Sequence, residues 1–226
     1  MSAVDPAAEE APADARVRMD RMYRHQRHIY DLTRKYYLLG RDRAIGRLEV
    51  MPGDLVCEVG CGTARNLVAL ARRHRDARFF GLDASAAMLE TANSSLARAG
   101  LTRRVTLRHG LAEELDGERD FGLAQPFDTI FFAYSISMIP TWREAIARAI
   151  VNLRPGGALA VVDFWDQRDL PRWFGKSLRA WLALFDVHPR FDLVEHFNAL
   201  PEGRTQVAPI LRGYAVSLEF RKKERA

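Results

Sequence analysis

The stretch Leu55-Val56-Cys57-Glu58-Val59-Gly60-Cys61-Gly62-Thr63-Ala64-Arg65-Asn66-Leu67 carries the densest chemical signal in the chain. An apolar run leads to an acid, Glu58, and then to two glycines separated by one residue. Gly60 and Gly62 allow a sharp backbone turn that approaches a ligand with no Cβ in the way. Such a loop, opening onto a helix N-terminus, presents free N–H groups to a polar ligand. A second acid, Asp83, ends the segment Arg78-Phe79-Phe80-Gly81-Leu82-Asp83, about 20 residues beyond the loop. A carboxylate at that distance holds a ribose diol through two hydrogen bonds; a plain turn role is the alternative reading. A dinucleotide fingerprint would require a third glycine where Arg65 stands, which disfavours a dehydrogenase.

The elements that must position these residues follow from periodicity. Residues 55–59 read as a buried strand, and Asn66–His74 as the helix after the glycine turn. Strand two ends at Asp83. Ser85 then caps a helix running to Ala99, stopped by Gly100 in a left-handed conformation. Val105–His109 reads as strand three, leading into Gly110, Leu111, Ala112 and Glu113. Phe127–Ala133 reads as strand four with Tyr134 just beyond it. Thr141–Leu153 is expected to be a helix ended by Arg154-Pro155-Gly156-Gly157, and Ala158–Val162 a fifth strand ending near Asp163. Asp192–Phe197 and Gly213–Phe220 read as the last two strands, closing the sheet as a hairpin. Strands alternating with helices predict an α/β fold, a mostly parallel sheet with helices on both faces. Ligands in such sheets bind beyond the carboxyl ends of the strands, at the switch point.

Residues 1–14, rich in Ala, Pro and acids, read as a disordered tail, and residues 15–226 as one domain. Residues 15–47 are strongly basic, with apolar and aromatic positions at near-helical spacing, and predict amphipathic helices. Their polar side is either an ordinary solvated face or the outer face of a lid that meets anionic lipid headgroups. Residues 170–187 predict another helix with a wide aromatic surface, including Trp173, Phe174 and Trp181. It is either buried against the sheet or lipid-facing, with Arg172, Lys176 and Arg179 on its polar side. The chain has 226 residues and a formal charge of +5, compatible with an anionic membrane or nucleic acid. No apolar run approaches the ~20 residues of a membrane span, and no basic-then-apolar leader opens the chain. The two cysteines, Cys57 and Cys61, lack metal-site spacing and read as reduced thiols of a cytoplasmic protein.

From the glycine loop to the last strand, the order of motifs resembles the class I S-adenosylmethionine (SAM)-dependent methyltransferases. The resemblance implies their Rossmann-like sheet with an antiparallel last strand, and SAM as cofactor with S-adenosylhomocysteine as product. It implies that Glu58, Gly60, Gly62 and Thr63 hold the methionine part and Asp83 the ribose. Ala84 and Met88 would flank the adenine, with Gly110, Leu111 and Ala112 at its edge and Ala133 closing the site from strand four. Ala64 stands where a third glycine is common, and Leu111 where many relatives have Asp. The segment Tyr23-Arg24-His25-Gln26-Arg27-His28-Ile29-Tyr30-Asp31-Leu32-Thr33-Arg34-Lys35-Tyr36-Tyr37-Leu38-Leu39-Gly40-Arg41-Asp42 is similar to the N-terminal segment of bacterial betaine-lipid N-methyltransferases, and of phosphatidylethanolamine N-methyltransferases. That resemblance implies a lipid-headgroup amine as substrate, an enzyme peripheral to the inner membrane face, and Tyr23, Tyr30 and Arg34 closing over the cofactor.

Methyl transfer from a sulfonium is an in-line displacement by a neutral amine, accelerated mainly by alignment. Tyr134 is the candidate for contacting the amine, by cation–π attraction and through its hydroxyl; an ordinary core tyrosine is the alternative. His28 or His25 is the candidate proton acceptor. Arg172 or Arg179, with Trp173 beside them, is the candidate partner for a headgroup carboxylate. A soluble small-molecule methyltransferase and a non-catalytic SAM-binding module are the competing readings. No Asn-Pro-Pro-Tyr-like motif follows strand four, which disfavours nucleic acid as partner.

Overall fold

The computed structural model describes residues 38–224. The expected tail, the amphipathic helices up to residue 37, and Tyr23, His25, His28, Tyr30 and Arg34 lie outside the described residues.

A short helix α1 (Arg41–Ile45) precedes β1 (Leu55–Val59), α2 (Arg65–Arg73), β2 (Arg78–Asp83), α3 (Ala86–Ala99) and β3 (Val105–His109). The chain continues through α4 (Gly117–Phe121), β4 (Phe127–Ala133), α5 (Trp142–Val151), β5 (Leu153–Phe164), α6 (Arg172–Ala183), α7 (Leu193–Ala199), β6 (Gly203–Ile210) and β7 (Ala215–Lys222). The seven strands form one sheet in the order β3-β2-β1-β4-β5-β7-β6. Pairing is parallel from β3 to β5, whereas β7 runs antiparallel to β5 and β6 antiparallel to β7. Strand order reverses between β1 and β4, so the carboxyl ends of these two strands flank the topological switch point.

The central strands are apolar throughout because both faces of a parallel sheet are covered. β1 is buried at every position, and β4 at all but Asp128. One face packs α2 and α3 through Leu67, Leu70, Met88 and Leu89; the other packs α5 through Trp142, Ile146 and Ile150. Phe79, Phe80, Phe127, Phe131 and Phe132 are almost wholly buried, each contributing roughly 1.5–3 kcal/mol on transfer from water. The expected caps of α3 are present: the Ser85 hydroxyl accepts the Met88 N–H at 3.3 Å, and Gly100 closes the helix with φ +69°.

Three sequence expectations need correction. Asp192–Phe197 belongs to helix α7, not to a strand. Leu193 and Phe197 lie four residues apart and are both buried, which a one-turn helix satisfies as well as strand alternation does. The edge strand is instead β6, mostly exposed and containing Pro209, a residue tolerated at a sheet edge and silent as a buried-strand signal. Arg154–Gly157 does not separate α5 from β5 but lies inside β5. Register there jumps from Phe127 opposite Leu153 to Thr129 opposite Ala158, and Gly156 at φ +71° takes up the irregularity.

Candidate cofactor crevice

The glycine loop folds back onto the end of β2. The N–H groups of Gly60 and Cys61 donate to the Leu82 carbonyl at 2.8 and 3.1 Å. Gly60 sits at φ +73°, and a Cβ there would lie 2.5 Å from the Ser135 Cβ. The Ser135 hydroxyl in turn donates to the Val59 carbonyl at 2.9 Å, locking the turn after β4 against the end of β1. Gly81, inside β2, serves the same loop from below: a Cβ there would meet Cys61 Sγ and Leu67 Cδ1, each at 2.8 Å. Ala64 begins α2 at φ +61° and is fully buried, so the position usually given to glycine accepts a methyl group at the strain cost of a left-handed residue.

Asp83 terminates β2 with its carboxylate turned toward this loop. One oxygen accepts the Gly62 N–H at 2.7 Å and the other the Ser85 N–H at 2.9 Å. These bonds orient the carboxylate at the crevice wall, and a carboxylate oxygen accepts more than one hydrogen bond, so the group is of the type that holds a diol. Glu58 is buried on β1 behind the loop, where one oxygen accepts from the Asn66 side chain at 2.6 Å. It anchors the start of α2 rather than lining the crevice.

The crevice beyond the strand ends is an open cleft whose cavity volume is about 80 Å³. Gly60, Gly62, Asp83, Ala84, Met88, Gly110, Leu111 and Ala112 all line it, as expected from the sequence. Glu113 and the segment Ser135, Met138, Ile139, Pro140 and Thr141 complete the wall. The latter segment is a contribution of the turn after β4, part of the stretch Tyr134–Pro140 whose residues are similar to those of the lipid N-methyltransferases. Leu82, Met88, Leu111 and Met138 make the walls apolar, while the polar groups converge on the loop and Asp83. This combination fits an adenosine whose base is sandwiched and whose sugar is hydrogen-bonded.

Four expected contacts fall elsewhere. Ala133 is buried within β4, and Thr63 lines a separate groove with Arg65, Arg72 and Arg98. Arg179 and Trp173, on α6, do not line the crevice: Arg179 donates to the Gln167 side chain at 3.1 Å and Trp173 is 71% exposed. The side chain of Arg172 lies outside the described side chains.

Tyr134 sits directly after β4 at φ +58°, its ring buried and edge-on to Phe164 at 4.8 Å. Its hydroxyl donates to the Leu39 carbonyl at 2.5 Å. Burial pushes its phenol above the ordinary tyrosine range, with the charge of Asp163 acting in the same direction. Asp163, fully buried near the end of β5, has its carboxyl pushed up to about 6 by desolvation, against the hydrogen bonds that stabilise its charged form. Its oxygens accept the N–H groups of Ser137 at 3.0 Å and Phe164 at 2.7 Å. Asp163 thus pins the short 3₁₀ turn Ile136–Met138 that forms the crevice rim. Burial raises both cysteine thiols well above their usual range, which keeps Cys57 and Cys61 protonated.

Comparison with known proteins places this geometry. Residues 56–157 match a family model described as a methyltransferase domain. Among curated relatives, the trans-aconitate 2-methyltransferase of Deinococcus radiodurans is 36% identical over 112 residues, covering 49% of this chain and 38% of the relative. The trans-aconitate 2-methyltransferase of Pseudomonas aeruginosa is 30% identical over 159 residues, covering 70% and 47%. The 27-O-demethylrifamycin SV methyltransferase of Amycolatopsis mediterranei is 30% identical over 123 residues, covering 54% and 43%. The chain spans less than half the length of these relatives. In fold it is similar to the YcgJ protein of Bacillus subtilis, with TM-score 0.65 and 16% identity over 82% of this chain and 99% of that one. It is also similar to the mitomycin 7-O-methyltransferase MmcR, with TM-score 0.71 and 14% identity over 94% and 62%. The family match falls on residues 56–157, where the glycine loop and β1 to β4 build the crevice, so over this stretch the chain is similar in sequence to methyltransferases, and its fold is similar to theirs.

Proposed function

We propose that the protein is a SAM-dependent N-methyltransferase acting on the amine of a lipid headgroup, converting diacylglyceryl-homoserine to its trimethylated betaine lipid. The methyl-transfer part of this reading is carried by the crevice: a carboxylate and a glycine turn at the switch point, walled by apolar side chains. When bound, the cofactor supplies an electrophilic methyl group on a sulfonium. The chain's own residues bind and align. Asp83 and the glycine loop hold the nucleoside, Met88 and Leu111 exclude water from its base, and the turn pinned by Asp163 sets the far wall. Tyr134, at the tip of β4, is assigned the acceptor amine, which it reaches by exchanging its bond to Leu39; His28 is assigned the proton.

The lipid part is supported by the surface beside the rim. The Ser137 carbonyl accepts the His188 N–H at 2.8 Å, so the segment after α6 borders the crevice. On and after α6, Trp173, Leu184 and Phe191 are exposed by 71, 72 and 53%. Large exposed apolar side chains near a site opening mark a membrane or partner surface. The resemblance of residues 23–42 to lipid N-methyltransferases and the net charge of +5 point the same way. No helix among the described residues is long and apolar enough to cross a membrane, so the proposed attachment is peripheral, at the inner face.

The curated relatives favour a second reading, methylation of a small soluble acid, since four of those matched are trans-aconitate 2-methyltransferases. Lipid mass spectrometry of cells expressing the chain, with and without the homoserine-lipid precursor, separates the two. Stepwise methyl additions on that precursor support the lipid reading. An unchanged lipid profile together with methyl esters of small carboxylic acids would replace it.

A further inference from the structure

A second groove, of about 360 Å³, lies between α1 and the end of the β6–β7 hairpin, and among the described residues it shares no lining residue with the crevice. Its volume falls in the range of small-molecule sites. One wall carries Arg43 and Arg47; the other is the end of β6, residues 208–211, with Ser217 of β7. Gly40 brings the two walls together, since a Cβ there would meet Ile210 Cγ2 at 2.8 Å. The lining is divided in character: Ala44, Pro209 and Ile210 are apolar, and the two guanidiniums bring two permanent charges. The acids of the same segment are engaged elsewhere, Asp42 by Arg41 and Arg65, and Glu49 by Arg221. Two fixed cations above an apolar floor suit an anion attached to an apolar body.

The hairpin turn carries the same pattern outward. Leu211, Arg212 and Gly213 follow one another at φ +46°, +57° and +75°, a left-handed conformation that the first two side chains adopt at a cost. The turn is held in this shape from behind: the Gly213 carbonyl accepts the Gln167 N–H at 2.9 Å, and a Cβ on Gly213 would lie 2.9 Å from Asp166 Oδ1. Leu211 is thereby left 59% exposed at the edge of the groove, with Arg212 exposed beside it. An apolar side chain next to cations is the composition of a surface that meets anionic lipid. α1 and α6 pack into one apolar cluster through Ile45 and Leu182, so the groove lies on the face of the sheet that also carries the exposed Trp173.

We infer that this groove binds the phosphate of an anionic glycerophospholipid, with Arg43 and Arg47 on the phosphate and Leu211 against the acyl region. A guanidinium forms paired, charge-assisted contacts with phosphate oxygens. The groove is a membrane-binding site distinct from the place of methyl transfer, and the inference stands whichever acceptor the crevice serves.

Sedimentation of the full chain with phosphatidylglycerol vesicles tests it, against a control of equal charge. Arg43→Gln combined with Arg47→Gln is expected to weaken vesicle binding about 10- to 30-fold, and Arg43→Lys with Arg47→Lys to recover part of the loss. Arg72→Gln with Arg98→Gln removes the same charge from the groove between α2 and α3, and is expected to weaken binding by less than about 3-fold. S-adenosylhomocysteine affinity, by calorimetry, is expected to be unchanged in both paired variants, so a failure of this inference is read apart from a failure of the crevice. Equal losses in the two paired variants, or a wild type that does not bind the vesicles, would overturn the inference. So would loss of sn-glycerol 3-phosphate binding on removal of Arg43 and Arg47 with vesicle binding intact, which would give the groove to a soluble phosphate.

Discussion

The two halves of the sheet on either side of the β1–β4 switch point are built differently. On the β1–β2–β3 side, loop, strand end and carboxylate are fixed by short backbone bonds: Gly60 and Cys61 to Leu82, and Gly62 and Ser85 to Asp83. On the β5–β7–β6 side, the rim depends on one buried acid, and the covering elements expose Trp173, Leu184 and Phe191. In the proposed function, the first half is a rigid mould for one nucleoside. The second, in the same proposal, is a surface whose outward chemistry selects what is brought to it. A fold with many acceptors is expected to keep the former and vary the latter.

The largest expected effect comes from breaking the mould. Gly60→Ala places a methyl group on Ser135 at a positive φ, and is expected to destabilise the fold by about 2–5 kcal/mol, read by chemical denaturation. A loss below about 0.5 kcal/mol, the range of neutral surface changes, would show that the loop yields easily.

Next is the acid of the second half. The carboxyl of Asp163 is held at about 6 when folded against an ordinary 3.8, so the folded chain keeps a proton that the unfolded chain has released. The associated stability is present below pH 4 and is lost as pH rises through 6. Wild-type stability relative to Asp163→Asn should therefore fall between those values, by up to about 3 kcal/mol. Parallel pH–stability curves for the two proteins would contradict the buried-acid description.

Asp83→Ala is expected to cost roughly 1–3 kcal/mol of S-adenosylhomocysteine affinity by calorimetry, from lost hydrogen bonds and a loosened loop. The smallest effect on folding belongs to the exposed face: Trp173→Ala should change stability by less than about 0.5 kcal/mol. The same variant should reduce sedimentation with anionic vesicles, and wild-type binding should weaken with salt. Vesicle binding that is absent, or indifferent to both salt and Trp173, would leave the second half as an ordinary surface.

The contrast also explains what the sequence revealed. The mould is local: the glycine turn, the run ending at Asp83, the Ser85 cap and the Gly100 stop are read from neighbouring residues, and the structure has all of them. The rim is long-range. The segment around Ser135 and Met138 is legible only as a resemblance, which does not say that it completes a wall begun at Gly60, and the need for Gly81 arises only when Cys61 and Leu67 are laid over it. α7 was hidden because Leu193 and Phe197, four residues apart, share a face in a strand as they do in a helix. β6 was hidden because an exposed edge carries no apolar pattern. Glu58 was placed at the ligand by resemblance, whereas its side chain holds Asn66 from behind.

The most direct measurement is a crystal structure of the full chain with S-adenosylhomocysteine. The account predicts the nucleoside between the glycine loop and Met88, with its sugar hydroxyls on the Asp83 carboxylate. A nucleoside bound outside this crevice, or a sugar out of reach of Asp83, would contradict it.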